Sequence, residues 1–442
     1  MTTASVRIRH LLDLGRGRVP GQLIIQLTDQ CNARCPQCGM RVSEKFARTR
    51  LANDRVKRLL DAAIQRGIQI VSFTGGEPLL LLDDLIELIN YAGKLGFAYI
   101  RTGTNGFLFR NPEKSDFSER MNRLAERLAA TPLRNLWISV DSAVPAMHEH
   151  MRGFPGIIEG IARALPIFHA HGIYPSANVG LNRNMSEETA GLQILGAEPS
   201  DEAESHFYQV YRQALRQFYR FLADLGFSMT SACYPMSIQP TDDSSLQSVY
   251  AATATDMVVN FSRREKILLY QALSDTVEEF RDRIRILTPQ SSLRALIDQT
   301  GGTSLQQYPC RGGIDYFFVD CRDGLTYPCG YRGNDSLGYL WDLDMSTLDR
   351  KKDCSLCEWE CFRDPSELFG PILQGLNDPR SLFTRYRLQK PALQAWWQDI
   401  RYARACNFFD GRKPLVPERL RSFQKTLRAE GCLVKTEPAC QY

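Results

Sequence analysis

Over its first 235 residues the chain repeats one rhythm, a short β-type run followed by a stretch with helical spacing. The runs are QLIIQL (22–27), IQIVSFTG (68–75), FAYIRTGTN (97–105), NLWISVD (135–141), GIYPSANVG (172–180) and FSMTSACYP (227–235). Such alternation specifies βα units, which set consecutive strands parallel and cover them with helices. Between the second and third runs, Leu82, Leu85, Ile86 and Ile89 recur at helical spacing while Asp83, Asp84 and Glu87 fall on the other side, the pattern of an amphipathic helix lying on a sheet. Six units are two short of a complete eight-fold barrel. The fold class is therefore read as α/β, with an open, partial (β/α)6 barrel preferred to a doubly wound sheet. In parallel barrels the chemistry sits at the C-terminal ends of the strands, so the loops after these runs are where functional residues are expected.

The loop after the first run reads DQCNARCPQCGMR and carries Cys31, Cys35 and Cys38. Three thiols cannot close into disulfides among themselves. The chain has thirteen cysteines, no apolar signal segment at its N-terminus, and nowhere the roughly 20 apolar residues that a bilayer span needs. A cytoplasmic location is expected, where thiols stay reduced and clustered cysteines read as metal ligands. With 54 basic against 50 acidic residues the net charge is +4, too small and too dispersed for a protein that coats nucleic acid. A structural zinc site takes four protein ligands, and no fourth Cys or His stands near the three. Three thiolates from one loop suit instead a four-iron cluster whose remaining iron is open to an outside ligand.

CxxxCxxC after the first strand of a βα barrel resembles the radical S-adenosylmethionine (radical SAM) enzymes, and the agreement continues along the chain. FTGGEPLL after the second run carries Gly75, Gly76, Glu77 and Pro78, similar to the family's GGEP segment. The resemblance implies that these glycines bring backbone polar groups to the methionine amino group of S-adenosylmethionine. Thr104 and Asn105 of TNG end the third run, and Ser139 and Asp141 of ISVDSA end the fourth. In relatives such rim positions contact the ribose and methionine of the cofactor, whereas on their own they also suit turn and helix caps. HEHMRGFPG resembles the segment whose arginine, here Arg152, faces the cofactor carboxylate. Gln37 departs from the pattern, since an aromatic residue usually precedes the third cysteine. His148 and His150, flanking Glu149, are read as a solvated HxH pair and not as a metal site.

A second group, Cys310, Cys321, Cys329, Cys354, Cys357 and Cys361, lies far downstream. IDYFFVD and LTYPC flank CRDG, so a hairpin is expected there. By spacing alone these thiolates suit either zinc or a second iron–sulfur cluster. A Cys, then GxxxxC, then CxxC after such a barrel resembles the auxiliary-cluster domains called SPASM and, in shorter form, twitch. The resemblance implies one auxiliary 4Fe-4S cluster on Cys310, Cys329, Cys354 and Cys357, with Cys361 the rival ligand and Cys321 a packed thiol. Cys233, Cys406, Cys432 and Cys440 stand alone and read as small buried hydrophobes.

The expected organisation is an N-terminal extension (1–20), the barrel (21–240), a helical bridge (241–305), the auxiliary domain (306–370) and a helical C-terminal extension (371–442). That extension mixes Arg and Lys with Tyr386, Trp396, Trp397 and Phe408. It is read as an amphipathic cover, with single-stranded nucleic acid as the less favoured partner. The resemblance implies reductive cleavage of S-adenosylmethionine to a 5'-deoxyadenosyl radical, and hydrogen abstraction from an unactivated carbon of a small-molecule, lipid or peptide substrate. It further implies a reductant such as flavodoxin or ferredoxin, and an oxidation or bond formation assisted by the auxiliary cluster. The residues before Leu23 are too few for a leader-peptide-binding domain, which sets a metabolite or lipid precursor at least level with a peptide. RNA modification is the alternative enzyme class, and a non-enzymatic iron–sulfur or zinc protein is the alternative outside catalysis.

Overall fold

The structure is a computed structural model that describes residues 14–42, 45–236, 246–249, 256–302, 308–348, 354–355, 357–388 and 390–429. Cys432 and Cys440 lie outside these residues, as does the side chain of Tyr386. The strands are β1 (Gly21–Thr28), β2 (Ile68–Gly75), β3 (Tyr99–Thr104), β4 (Asn135–Val140), β5 (Ser176–Gly180), β6 (Met229–Cys233), β7 (Arg285–Ile286), β8 (Tyr316–Val319) and β9 (Thr326–Tyr327). The helices are α1 (Asn53–Gln65), α2 (Leu82–Leu95), α3 (Phe117–Ala129), α4 (Pro145–Arg152), α5 (Ile157–Ala170), α6 (Glu187–Ala190), α7 (Asp201–Leu225), α8 (Arg263–Phe280), α9 (Gln290–Gly301), α10 (Glu360–Asn377), α11 (Pro379–Leu388), α12 (Lys390–Ala405) and α13 (Pro417–Ala429). The nine strands belong to one sheet of order β7-β6-β5-β4-β3-β2-β1-β8-β9.

Each of the six sequence-predicted runs coincides with one of the strands β1 to β6, β1 extending one residue past its run at each end, and each of these strands pairs in parallel with the next. The sheet has two unlike faces. On one, Leu23, Ile25, Val71, Phe73, Ile100, Leu136, Ile138, Val140, Ala177 and Val179 are buried in a continuous core with the apolar stripes of the covering helices. Val56, Leu59, Leu60 and Ala63 of α1 and Leu85, Leu88, Ile89 and Ala92 of α2 supply part of that cover. Each fully buried aliphatic side chain of this kind contributes roughly 1.5–3 kcal/mol. The register puts the alternate residues, among them Gln26, Ser72, Thr74, Arg101, Trp137, Ser139, Asn178, Ser231 and Cys233, on the other face. Parallel sheets packed by helices on both sides are apolar on both sides. A polar second face therefore marks the concave side of an open barrel that borders a site.

Three features depart from the sequence reading. The stretch expected to be a helical bridge contributes a seventh parallel strand, β7, beside β6. Its Arg285 is buried and bonds Oγ of Ser228 at 3.0 Å and the carbonyl of Asp410 at 3.1 Å, so a two-residue strand is held by side-chain bonds that periodicity does not reveal. The β8–β9 hairpin forms as expected, but β8 also pairs in parallel with β1, so the cysteine-rich region extends the barrel sheet. Ile24 of β1 accordingly sits in a second core with Tyr316, Phe318, Trp359 and Phe362.

The third departure is the position of the C-terminal helices, which seal the N-terminal end of the strands. Met229 of β6 packs with Tyr402, Cys406, Phe409, Leu420, Phe423 and Leu427. Tyr99 Oη donates to the carbonyl of Phe409 at 2.9 Å, and the N–H of Tyr174 donates to that of Gly411 at 2.7 Å. The aromatic residues of this segment are thus divided between core and surface, since Trp397 and Phe408 stay exposed. No helix among the described residues is long and apolar enough to cross a membrane.

Candidate active site

The loop after β1 is held from two sides. The N–H groups of Gly76 and Glu77 donate to the carbonyls of Thr28 and Gln30 at 2.7 and 2.9 Å, so the GGEP turn lies directly against the cysteine loop. A Cβ on Gly75 would stand 2.3 Å from the Thr28 oxygen, and one on Gly76 would stand 2.1 Å from the Gln30 oxygen. These two positions need glycine because backbone meets backbone there. Pro78 then opens a single 3-10 turn at its first position, where a missing N–H is harmless.

Glu77 is buried and ties three segments together. One carboxylate oxygen accepts the N–H of Leu79 at 3.0 Å and the other that of Asn105 at 2.6 Å. Burial pushes its carboxyl up to about 7, against the pull of these backbone donors. Asn105 in turn donates through Nδ2 to Cys31 Sγ at 3.7 Å and to Asn32 Oδ1 at 2.9 Å. Thr104 Oγ1 accepts the N–H of Gly106 at 3.0 Å, fixing the turn that presents Asn105.

The backbone N–H of Ala33 reaches Cys31 Sγ, and that of Met40 reaches Cys38 Sγ, each at 3.5 Å. Burial pushes the Cys35 thiol up to about 12 and the Cys38 thiol to about 11, while the positive charge of Arg152 opposes both. Deprotonating such thiols requires a cationic partner, and the nearby N–H donors suit sulfurs that carry negative charge. The chemistry of the donor set fits an iron–sulfur cluster on this loop.

Arg152 ends α4 and grips Asp141 with both oxygens engaged, Nε to Oδ2 at 2.6 Å and Nη2 to Oδ1 at 2.9 Å. Gln37, the residue that departs from the family pattern, also bonds the Asp141 carboxylate. Ser139 lies on the concave face in register with Asn178. His148 corrects the sequence reading, because it is wholly buried and not solvated. Its Nδ1 accepts the backbone N–H of Asp141 at 3.1 Å, and burial holds the ring near a pKa of about 4. His150 on the same helix is exposed. The alternation of a helix puts i and i+2 on different faces, so an HxH motif does not predict a shared environment.

The second cysteine group divides. Cys310, Cys329, Cys354 and Cys357 line one cavity with Gly312, Pro328, Arg332, Trp359 and Phe362. Burial raises the thiols of Cys310, Cys329 and Cys357. Cys321 is absent from this lining and shares a hydrogen bond with Thr49 Oγ1 at 3.3 Å. Cys361, the rival ligand, is not part of this lining and lies with its Sγ 3.8 Å from the Glu360 carboxylate. It is the second residue of α10, one turn past Cys357, near enough for its charge to act on Cys233. Among the described residues no three His, Cys, Asp or Glu side chains are gathered tightly enough for a single metal ion. Four thiols around a cavity fit a cluster, whose sulfur ligands surround a volume and not a point.

Sequence reasoning missed the polar group where α10 meets β6. Asp364 bonds Ser292 and Tyr234 and is pushed by burial to about 8, while Glu360 beside Cys233 is pushed to about 7. The only signal in sequence was acidic residues in the first turn after a cysteine motif, which ordinarily reads as helix-terminus chemistry.

A parallel sheet with a polar second face, a three-thiol loop at its C-terminal rim and glycines pressed against that loop make up the candidate site. Residues 25–189 match the family model of the radical SAM superfamily, so the chain carries a radical SAM domain and is an enzyme. That family implies S-adenosylmethionine and a 4Fe-4S cluster. The chain is 26% identical over 193 residues to a PqqA peptide cyclase of Xanthomonas campestris, covering 43% of this chain and 48% of that protein. It therefore spans about half the length of that relative. An AdoMet-dependent heme synthase of Methanosarcina barkeri is 25% identical over 327 residues, 71% of this chain and 77% of that one. Streptococcus suis SuiB bound to S-adenosylmethionine aligns at 14% identity with a TM-score of 0.49, over 78% of this chain and 70% of that one.

Proposed function

We propose that this chain is a radical SAM oxidoreductase that removes hydrogen from an unactivated carbon and completes an oxidation or bond formation with the help of a second cluster. Cys31, Cys35 and Cys38 would hold the first 4Fe-4S cluster, and Cys310, Cys329, Cys354 and Cys357 the auxiliary one. When bound, the first cluster and S-adenosylmethionine supply a 5'-deoxyadenosyl radical, given one electron from a reductant of the flavodoxin or ferredoxin class. The protein's own residues supply placement. Asn105 and the N–H groups of Ala33 and Met40 donate to the sulfurs, and Arg152 adds positive charge beside them under the control of Asp141. The apolar core of the sheet's outer face, the sealed N-terminal end and the aromatic wall around the second cavity keep water and stray hydrogen donors away from the barrel.

The observation that carries this reading is the contact of Asn105 with Cys31, because it joins the rim of β3 to the cysteine loop through Glu77. RNA modification stays the alternative, since Trp397 and Phe408 of the basic C-terminal segment are exposed. A small-molecule, lipid or peptide substrate is the reading retained. The test is a Cys31→Ala, Cys35→Ala, Cys38→Ala variant, reconstituted anaerobically with iron and sulfide and reduced with dithionite. It is expected to form no 5'-deoxyadenosine while the wild type does; cleavage at wild-type rate in the variant overturns the proposal.

A further inference from the structure

Of the nine residues that line the four-thiol cavity, Arg332 is the one that brings a permanent charge; beside the thiols the rest of the wall is Gly312, Pro328, Trp359 and Phe362. The chain on either side of Arg332 is fixed by one residue, Gln247. Its N–H donates to the carbonyl of Tyr331 at 3.0 Å, and its carbonyl accepts the N–H of Gly333 at 2.9 Å. The guanidinium is fixed in turn by Asp335, whose Oδ2 stands 2.5 Å from both Nε and Nη2. Asp335 is not part of the lining, and its side chain is 38% exposed against 20% for Arg332. The ion pair therefore has a direction, with its cation on the thiol side and its carboxylate on the solvent side.

Other charges near these cysteines are matched behind the wall. Arg363 acts on Cys310, but its Nη2 bonds Glu367 at 3.0 Å and its Nη1 the carbonyl of Tyr308 at 2.9 Å. Glu358 acts on Cys357 and is paired with Lys266. Neither lines the cavity. Two backbone donors do face the sulfurs, since the N–H of Gly312 reaches Cys310 Sγ and that of Tyr331 reaches Cys329 Sγ, each at 3.4 Å.

A cluster becomes one unit more negative when it accepts an electron. A cation and N–H donors beside it stabilise that form, whereas a carboxylate opposes it, so the local charge sets the reduction potential. Resting on the auxiliary-cluster reading above, we infer that Arg332, opposed by Asp335, sets the reduction potential of the cluster on Cys310, Cys329, Cys354 and Cys357 and raises it, which suits that cluster to accept an electron. Arg332 is a positioning residue in this account, acting on the energy of the electron and not on substrate.

The experiment is a redox titration of the full chain, reconstituted anaerobically with iron and sulfide and followed by electron paramagnetic resonance. The Cys31→Ala, Cys35→Ala, Cys38→Ala background isolates the second cluster, and the unaltered chain is titrated beside it. Arg332→Gln should lower the midpoint by the equivalent of about tenfold in the one-electron equilibrium, or 59 mV. Arg332→Lys should recover part of that shift, and Asp335→Asn should move the midpoint the other way. Circular dichroism and an iron count of about four per chain in the isolating background establish that each variant is folded and loaded. If Arg332→Gln takes up no iron, Arg332→Lys and Asp335→Asn decide by the same rule of opposite signs. Unmoved midpoints, or shifts of one sign for both partners, overturn the inference and leave the auxiliary cluster standing. Zinc or no metal at the second site in the unaltered chain removes the auxiliary-cluster reading, and this inference with it.

Discussion

The backbone N–H of Asn105 donates to a carboxylate oxygen of Glu77 at 2.6 Å, and the Asn105 side chain reaches the sulfur of Cys31. A turn after β3 is thereby positioned on a turn after β2, and both are positioned on the loop after β1. Glu77→Gln replaces one accepting oxygen by an NH2 group that faces a donor. With one backbone N–H left unsatisfied, the expected loss is about 1–3 kcal/mol of stability. Thermal unfolding measures that loss, and 5'-deoxyadenosine formation should fall at least about tenfold. Unchanged values for both would remove Glu77 from the framework of the site.

Gly76→Ala tests the close approach of the two loops. Its Cβ would overlap the Gln30 carbonyl, so the cysteine loop must move, at a cost of about 1–3 kcal/mol as for other overpacked positions. Iron analysis after anaerobic reconstitution should show the first cluster lost and the second retained. Full iron content in the variant contradicts this account of the glycine.

His148 makes stability depend on pH. Its ring is held near a pKa of about 4 by burial, below its ordinary value, so the unfolded chain binds the proton first as acid is added. The contribution is present above the ordinary histidine range and is lost as pH falls from about 6.5 to about 4. At 1.36 kcal/mol per pKa unit it is on the order of 3 kcal/mol. The raised carboxyls of Glu77, Glu360 and Asp364 act in the opposite sense, losing stability as pH rises toward 7 and 8. The comparison is therefore between wild type and His148→Asn, by urea unfolding of the cluster-free chain. The variant should show the smaller loss on acidification, and equal slopes would exclude the assignment.

The second group of cysteines is tested by iron count. Cys361→Ser should leave about eight irons per chain, and Cys310→Ala or Cys329→Ala should leave about four. Zinc in place of iron after anaerobic purification, or an equal loss in all three variants, would refute the four-thiol set.

The strands β1 to β6 were legible because each overlaps a short apolar run set between helical patterns, and Cys31, Cys35 and Cys38 were legible because three thiols share one loop. What was hidden depends on contacts between distant parts of the chain. The pairing of β8 with β1 joins Gln22 to Tyr316, and β7 is too short to leave a period of its own. Cys361 read as a fifth candidate ligand because spacing records distance along the chain and not which thiols line one cavity. The buried state of His148 was hidden for a similar reason, since its polar neighbours in sequence lie on another face of α4.

The seal formed by Tyr402, Phe409 and Phe423 at the far end of the strands has a consequence for the order of assembly. Protein chains fold broadly as they emerge, with upstream parts structured first. Here the upstream strands can pair while the residues that stop their lower end are still unmade. Until the downstream helices arrive, the lower end of the nascent sheet lies open to water. Only their docking gives it a floor, so whatever shelter the sheet offers its site is acquired late, from a part of the chain that carries none of the proposed cluster ligands.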